Sequence, residues 1–248
     1  MKKLKKVKFR IFRGTPDRFE YKNYDVEVNE GMVVLDAIHQ VQAKQDPKLA
    51  VRWNCKAGKC GSCSMEINGK PKLACMTRLD TLPQDEPITV APMKAFPVIK
   101  DLVCDVSWNY EMYKKIPEFK PNKPEADGTW RMRQEDVERG QEFRKCIQCF
   151  LCQDVCHVIR NHKKDNFAGP AFFAKIAGLE MHPHDTVDRI PLLKESFMLG
   201  LCNITKCCTE VCPEHIKITD NAIIPLKERV VTRYYDPIAK LFRKLFGL

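Results

Sequence analysis

Apolar and charged residues alternate along residues 7–13 and again along 24–28, and the Gly-Thr-Pro-Asp turn signal at 14–17 lies between them, so the chain opens on a predicted β-hairpin. After Asn29-Glu30-Gly31 the apolar positions Val33, Val34, Ala37, Ile38 and Val41 take helical spacing, which predicts a helix packed across the sheet. Short strands follow at 64–67, turning at Asn68-Gly69, then at 72–75 and 88–91. These elements describe a small α+β domain ending near Ser107. The stretch IPEFKPNKPEADG at 116–128 carries Pro117, Pro121 and Pro124 and reads as a linker or extended crossing arm. Beyond it β-branched alternation is scarce, residues 133–143 are rich in Glu, Arg and Gln, and apolar stretches such as FAGPAFFAKIAGLEM predict a mostly helical second domain. Gly169-Pro170 should open one of its helices, with proline at an early position where its missing N–H does no harm. The predicted division is therefore 1–107, a linker at 108–134, and 135–248. The final DPIAKLFRKLFGL places Ile238, Leu241, Phe242, Leu245 and Phe246 at helical spacing, with Lys240, Arg243 and Lys244 on the other side. This short basic amphipathic helix either docks on its own domain or meets anionic lipid or a membrane partner.

Composition narrows the class. With 248 residues, 44% of them apolar, and 42 Lys and Arg against 32 Asp and Glu, the chain suits a soluble globular protein of one or two domains with net charge +10. It has no apolar run of the roughly 18 residues that would cross a bilayer. The basic start MKKLKKVKFRIFRG runs into an alternating strand instead of the continuous apolar stretch of a signal peptide, which predicts a cytoplasmic protein. Lysines at 2, 3, 5, 6 and 8 suggest a grip on nucleic acid. No helix-turn-helix or aromatic-studded stripe accompanies them, so no nucleic-acid partner is expected, and a solvated strand face or a membrane-docking surface fits better.

Thirteen cysteines in a chain with no export signal change the picture again. A reducing cytosol does not maintain disulfides and a chain of this size does not need them, so clustered cysteines point to metal. The first knot, CKAGKCGSC, spaces Cys55, Cys60 and Cys63 as C-x4-C-x2-C, with Cys75 twelve residues on. That is the plant-type ferredoxin pattern for a [2Fe–2S] cluster. A loop presenting three thiolates from one side needs unusual dihedrals, which Gly58 and Gly61 supply, and Arg52, Lys56 and Lys59 offset thiolate charge. Zinc is the competing reading, although zinc knuckles favour paired C-x2-C spacings.

The second knot, CIQCFLCQDVC, is the bacterial ferredoxin run Cys146, Cys149, Cys152 and Cys156, whose fourth cysteine ligates the other cluster. A partner motif is then required, and CNITKCCTEVCP supplies it. Counting back from Cys212 gives Cys208, Thr205 and Cys202, so the second cysteine of the run is missing. Cys146, Cys149, Cys152 and the returning Cys212 make four ligands for [4Fe–4S], whereas Cys202, Cys208 and the crossing Cys156 make three, which suits [3Fe–4S]. Cys207 is either a bystander or a fourth thiolate that would make the last cluster a second [4Fe–4S]. Cys104, in the apolar IKDLVCDV, is expected to be a buried inert thiol. Such crossed ligation ties two distant segments through metal, so the second domain should depend on its iron.

The residues CKAGKCGSC, SMEINGKPKLACMT, PVIKDLVCDVSWNYEMYKKI, CIQCFLCQDVC, GPAFF and CNITKCCTEVCP, in this order and over nearly the whole chain, resemble the iron–sulfur subunit of succinate dehydrogenase and fumarate reductase. The resemblance implies an N-terminal β-grasp [2Fe–2S] ferredoxin domain joined to a C-terminal all-helical domain like a bacterial ferredoxin. It implies further a partner flavoprotein subunit that holds FAD and performs the dicarboxylate chemistry. Electrons would run from that flavin through the Cys55, Cys146 and Cys156 clusters to a quinone beside membrane-anchor subunits, with the chain held peripherally on the cytoplasmic face of the cell membrane. The chain itself shows no Rossmann fingerprint, P-loop or nucleophile elbow and no flavin site of its own, so no catalytic side chains are expected in it. Where family members carry Pro directly after the cysteine matching Cys156 and a quinone-contacting Trp five residues after it, this sequence has His157 and Asn161, and Asn203 stands where many relatives have His. A different anchor or a shifted quinone site would each explain this, with His157 and Asn161 as candidates and His157 and His162 lining a replacement pocket. The favoured reading of the two histidines is that they lie at the surface or flank a cluster, with no acceptor role. A related soluble fumarate reductase-type complex with a non-quinone acceptor is the alternative. His182 and His184 carry no better claim.

Overall fold

A computed structural model of the chain describes residues 5–83, 85–162 and 167–246; at Lys5, His162, Phe242, Arg243, Lys244 and Phe246 only the backbone is described. The side chains of Lys5, His162, Phe242, Arg243, Lys244 and Phe246, and all of Lys2 and Lys3, among the positions singled out above, thus lie outside the described residues. The chain divides into two compact units, the first holding residues up to Ser107 together with Ile147–Val155, the second holding Trp108–Cys146 and the residues from Cys156 on.

In the first unit β1 (Lys5–Gly14) and β2 (Phe19–Val28) form the expected hairpin, antiparallel in register from Lys5 opposite Val28 to Gly14 opposite Phe19. The second strand starts earlier than the clean alternation suggests. Phe19 and Tyr21 lie on the open face, where Phe12 stacks on Phe19 at 4.9 Å and meets Tyr21 edge-on at 5.7 Å, so cross-strand aromatic pairing extends the ladder past the region that period-2 burial marks. The helix α1 (Val34–Lys44) buries Val34, Leu35, Ala37, Ile38 and Val41. The larger of these contribute about 1.5–3 kcal/mol each by leaving water. Asp36 closes the helix start by accepting the Val33 N–H at 3.2 Å.

Strands β3 (Ser64–Ile67) and β4 (Lys70–Leu73) pair around Asn68-Gly69, both with positive φ (48° and 72°), the primed turn that suits hairpin twist. Because that turn takes only two residues, β4 begins at Lys70 and ends before Cys75, two residues ahead of the 72–75 expected from sequence. β5 (Ile88–Ala91) inserts parallel to β1 and antiparallel to β3, giving a sheet of order β2-β1-β5-β3-β4. The central strands read Phe9, Ile11, Ile67, Ile88 and Val90, all fully buried. A two-stranded ribbon, β6 (Val98–Lys100) and β7 (Val103–Cys104), follows. Asp101 between its strands is buried and accepts N–H groups from Gly14 (2.7 Å) and Ala50 (2.8 Å) while pairing with Arg13. The last piece of this unit is α4 (Leu151–Val155), where the Asp154 carboxylate accepts the Ala95 N–H at 3.0 Å.

The second unit is helical. It comprises α2 (Ser107–Lys114, its first residue closing the first unit), α3 (Gln134–Arg144), α5 (His157–His162), α6 (Pro170–Glu180), α7 (Cys207–Glu210), α8 (Ile224–Tyr234) and α9 (Pro237–Phe246). A π-helical turn at Ile218–Ile223 leads into α8. Gly169 caps α6 with φ 92° and Pro170 occupies its first turn, as the Gly-Pro pair predicts. The core is aromatic. Phe172 meets Tyr113 at 4.8 Å, Trp108 at 5.8 Å and Phe197 at 6.4 Å, all edge-on.

The proline-rich stretch is extended and strapped down. Its backbone exchanges bonds with 184–186, and the fully buried Arg189 holds it from below by donating to Pro117 O (3.0 Å) and Glu118 O (2.9 Å) while pairing with Asp185 at 2.9 Å. His184 joins the same strap, bonded to Asn122 and to the Arg131 carbonyl, so it is occupied structurally.

Candidate metal centres

The loop at 55–63 is built to turn backbone amides toward sulfur. Lys56, Gly58 and Gly61 all have positive φ (55°, 68° and 68°), two of them glycines as the sequence demands. The amides of Ala57 and Lys59 donate to Cys55 Sγ at 3.4 and 3.3 Å, that of Ser62 to Cys60 Sγ at 3.5 Å, and that of Cys75 to Cys63 Sγ at 3.5 Å. Gly61 is also sterically required, since a Cβ there would stand 2.6 Å from Cys149 Cα. Ser64, just past the loop, donates to both Gly61 O (2.8 Å) and Cys149 O (2.9 Å), a clamp that the CGSCS string contains but that cysteine spacing alone does not reveal.

Exposure falls across the four cysteines, from exposed Cys55 through half-buried Cys60 to buried Cys63 and Cys75. Burial pushes the Cys63 thiol up to about 12, the Cys75 amide opposes it, and the neighbouring Cys75 and Cys60 sulfurs add to the rise. At Cys60 burial also acts upward, but hydrogen bonds from Ser62 and Cys55 outweigh it and bring the thiol down to about 6. A donor set of four soft sulfurs fed by amide N–H groups fits a cluster of thiolate-bound iron. Lys56 does more than offset charge, for its ammonium sits 4.7 Å over the Trp53 ring, whose edge packs on His39.

The two ferredoxin-type knots have matching backbones. In residues 146–152 the residues flanking Cys149, Gln148 and Phe150, have φ of 54° and 59°; in residues 202–208 those flanking Thr205, Ile204 and Lys206, have φ of 60° and 62°. In both a helix starts directly afterwards, α4 at Leu151 and α7 at Cys207. Thr205 thus occupies the bend that Cys149 occupies in the other loop, and Cys207 takes the position of buried Leu151. Cys149 and Cys152 belong to the first unit, Cys146, Cys156, Cys202, Cys207, Cys208 and Cys212 to the second.

Within the second unit the structure gathers Cys156, Cys202, Cys207 and Cys208. Burial raises the Cys156 thiol, the amides of Ile159 and Val158 at the start of α5 lower it, and the charges of Cys207 and Cys202 raise it further. Burial likewise pushes Cys208 up to about 11; the Thr219 hydroxyl, 3.4 Å away, opposes this and Cys207, Cys202 and Cys156 add to it. Thr219 is the residue that sequence reasoning misses. It sits in the apolar run KITDNAII with no motif signal, yet its hydroxyl also meets Thr209 at 3.1 Å and fixes the floor beneath Cys208. The Thr205 hydroxyl lies 3.3 Å from Cys207 Sγ. Glu142 anchors the stretch after Cys212, accepting from the Lys217 amide (2.7 Å) and the Asn221 side chain (2.5 Å). Among the described residues no three His, Cys, Asp or Glu groups stand close enough to hold a single metal ion; a polynuclear cluster holds its sulfurs further apart than one ion does.

Cys104 is buried, its thiol directed at Met93 O (3.5 Å) and pushed up to about 11 by burial. His157 and Asn161 stand one turn apart on α5. Asn161 is exposed, and His157 Nε2 is buried with no hydrogen-bond partner among the described residues. No helix among the described residues is long and apolar enough to cross a membrane.

Comparison with known proteins sets the chain among iron–sulfur proteins. The family described as a 2Fe-2S iron-sulfur cluster binding domain matches residues 8–111, and the one described as a 4Fe-4S dicluster domain matches 142–216. The chain is 34% identical over 205 residues to the fumarate reductase iron-sulfur subunit of Mycobacterium tuberculosis, covering 79% of this chain and 80% of that one. It is 30% identical over 233 residues to the succinate dehydrogenase iron-sulfur subunit of Paracoccus denitrificans, covering 91% and 88%. A chain of the Mycobacterium smegmatis Sdh1 complex in the apo form superposes with a TM-score of 0.91 at 62% identity, over 95% of this chain and all of that one. The chain spans 42% of the length of the relatives it matches in Methanococcus maripaludis and Methanothermobacter marburgensis.

Proposed function

The chain belongs to the family of iron–sulfur subunits of succinate dehydrogenase and fumarate reductase, and from that premise we propose that it carries electrons between a flavin in a partner flavoprotein and a quinone at the membrane. The [2Fe–2S] cluster is held by Cys55, Cys60, Cys63 and Cys75, the [4Fe–4S] cluster by Cys146, Cys149, Cys152 and Cys212, and a [3Fe–4S] cluster by Cys156, Cys202 and Cys208. When bound, these clusters supply one-electron redox steps at potentials set by charge, hydrogen bonding and exposure. The protein's own part is to present thiolates, feed amide hydrogen bonds to them and keep water away from the buried ones. The dicarboxylate chemistry belongs to the flavoprotein subunit, FAD included, and the chain is peripheral, held by membrane-anchor subunits at the cytoplasmic face of the cell membrane.

The observation that carries the reading is the pair of matching loops around Cys149 and Thr205, each bent by two left-handed residues. Two copies of a cluster-binding bend, one short of a thiol, fit a four-iron and a three-iron cluster in series. By the register of the two loops Cys207 matches the apolar Leu151 and stays a neighbour of the third cluster. This reading takes the quinone end to lie beside α5, where His157, its Nε2 buried without a hydrogen-bond partner among the described residues, and Asn161 stand one turn apart.

The test is succinate-dependent reduction of a menaquinone analogue by the purified complex, measured beside reduction of a soluble dye. Reduction of both is expected, with quinone reduction alone falling in His157→Ala. Dye reduction without any quinone reduction would favour the soluble fumarate reductase-type complex.

A further inference from the structure

The apolar face of α9 is turned outward. Ile238, Leu241 and Leu245 share one side of the helix at spacings of three and four, and they are 66%, 56% and 67% exposed. A terminal helix that packs on its own domain hides these positions. Here they are the open ones, and Lys240 on the opposite side is exposed as well. The element is well formed nonetheless. Asp236 caps it, accepting the Ile238 N–H at 2.8 Å and the Ala239 N–H at 3.1 Å, and Pro237 stands in the first turn. The end of α8 is moored beneath it by Lys194, whose ammonium lies 3.8 Å over the Tyr234 ring and 5.3 Å over that of Tyr235, and by an Arg233–Asp188 ion pair. A fixed stem thus holds out a helix whose apolar side nothing in the second unit covers among the described residues.

Charge decides what would cover it. From Pro237 on, the chain carries Lys240, Arg243 and Lys244 and no acidic residue. A second copy of the chain would bring like charge to like charge. At ten residues the helix rises about 15 Å, half of the roughly 30 Å of bilayer hydrocarbon, so it is too short to span and fits lying flat. Apolar positions on one face and cationic positions on the other, as the spacing of the sequence sets them, match the boundary between acyl chains and anionic headgroups. We propose that α9 is an in-plane membrane helix that inserts Ile238, Leu241 and Leu245 among the acyl chains of an anionic lipid surface. This surface is distinct from the cysteine loops, and the inference holds or fails independently of the electron path.

The experiment is flotation of the full, cluster-loaded chain with protein-free vesicles, either of phosphatidylcholine alone or of phosphatidylcholine and phosphatidylglycerol in equal parts. The wild type should float with the anionic vesicles and much less with the neutral ones. Leu241→Glu with Leu245→Glu should lose binding by about a hundredfold, since each leucine contributes about tenfold or more. Lys240→Glu should lower binding to anionic vesicles alone, as should raising salt to about 1 M, where the Debye length is near 3 Å. Unchanged cluster absorbance in each variant shows that the fold is intact. Wild-type protein that stays in the pellet with anionic vesicles overturns the proposal, and so does a double variant that floats as well as wild type. If α9 serves an acidic protein groove instead, the double variant loses co-purification with that partner while wild type ignores protein-free vesicles, which equally overturns it.

Discussion

The loops at 146–152 and 202–208 have the same bend and a different side chain at its apex. Left-handed residues flank Cys149 in one and Thr205 in the other, and a helix begins right after each. Left-handed backbone at non-glycine residues is unfavourable and is retained where geometry demands it. Its presence around a threonine means that the bend is held without a thiol at its apex. On the proposed assignment the backbone amides, the flanking helix and the other two thiols still shape a cluster site, while the number of thiols sets how many irons it holds. On that proposal cluster type is written in one side chain and cluster binding in the whole loop.

The strongest way to break this comparison is to remove the metal. Stripping iron from the purified chain with chelator under reducing conditions should collapse the second unit, with a large loss of helical circular dichroism, because buried thiols such as Cys156 and Cys208 then lose their partners. Retention of native helicity would contradict the structural role given to the iron. Next in size is Thr205→Cys, which restores the missing thiol on a backbone already bent for it. Iron should rise from about nine to about ten per chain, and the magnetic signal of an oxidised three-iron centre should fade. A variant with unchanged iron and signal would show that position 205 does not face the cluster.

A smaller and purely steric effect is expected at Gly61. Gly61→Ala adds a Cβ to a residue at φ +68°, only 2.6 Å from Cys149 Cα, and should cost about 2–3 kcal/mol, read as a lowered Tm of the loaded chain. The same change at Gly69, equally left-handed but with open space around it, should cost about 1 kcal/mol, so the difference between the two isolates the crowding. Smallest of all is Cys207→Ser. As the counterpart of Leu151 it should leave iron content and the three-iron signal unchanged, and loss of either would make Cys207 a ligand.

Much of this architecture could be read before any coordinates. The alternation in β1, the helical spacing of α1, the Asn68-Gly69 turn and the Gly169-Pro170 helix start are local signals, each decided by residues within a few positions, and each has its place in the structure. The cysteine spacings were legible for the same reason, since a ligand loop is short. What escaped was decided by distant partners. β2 reaches back to Phe19 because of aromatic neighbours across the hairpin, and Arg189 looks like an ordinary surface cation until its carbonyl partners at Pro117 and Glu118 are seen. Thr219 beneath Cys208 and Ser64 over Cys149 are hydroxyls without motif, visible only once the loops are folded. For α9 the sequence leaves its own domain, anionic lipid or a membrane partner as the cover, and the exposure of its apolar face speaks against the first.

The central claim is that Thr205 makes the third site a three-thiolate, three-iron centre. Electron paramagnetic resonance of anaerobically purified, then oxidised protein tests it most directly. The account predicts one three-iron signal per chain that disappears in Cys202→Ser and persists in Cys207→Ser. An intact oxidised chain that holds about ten irons and gives no such signal would contradict it.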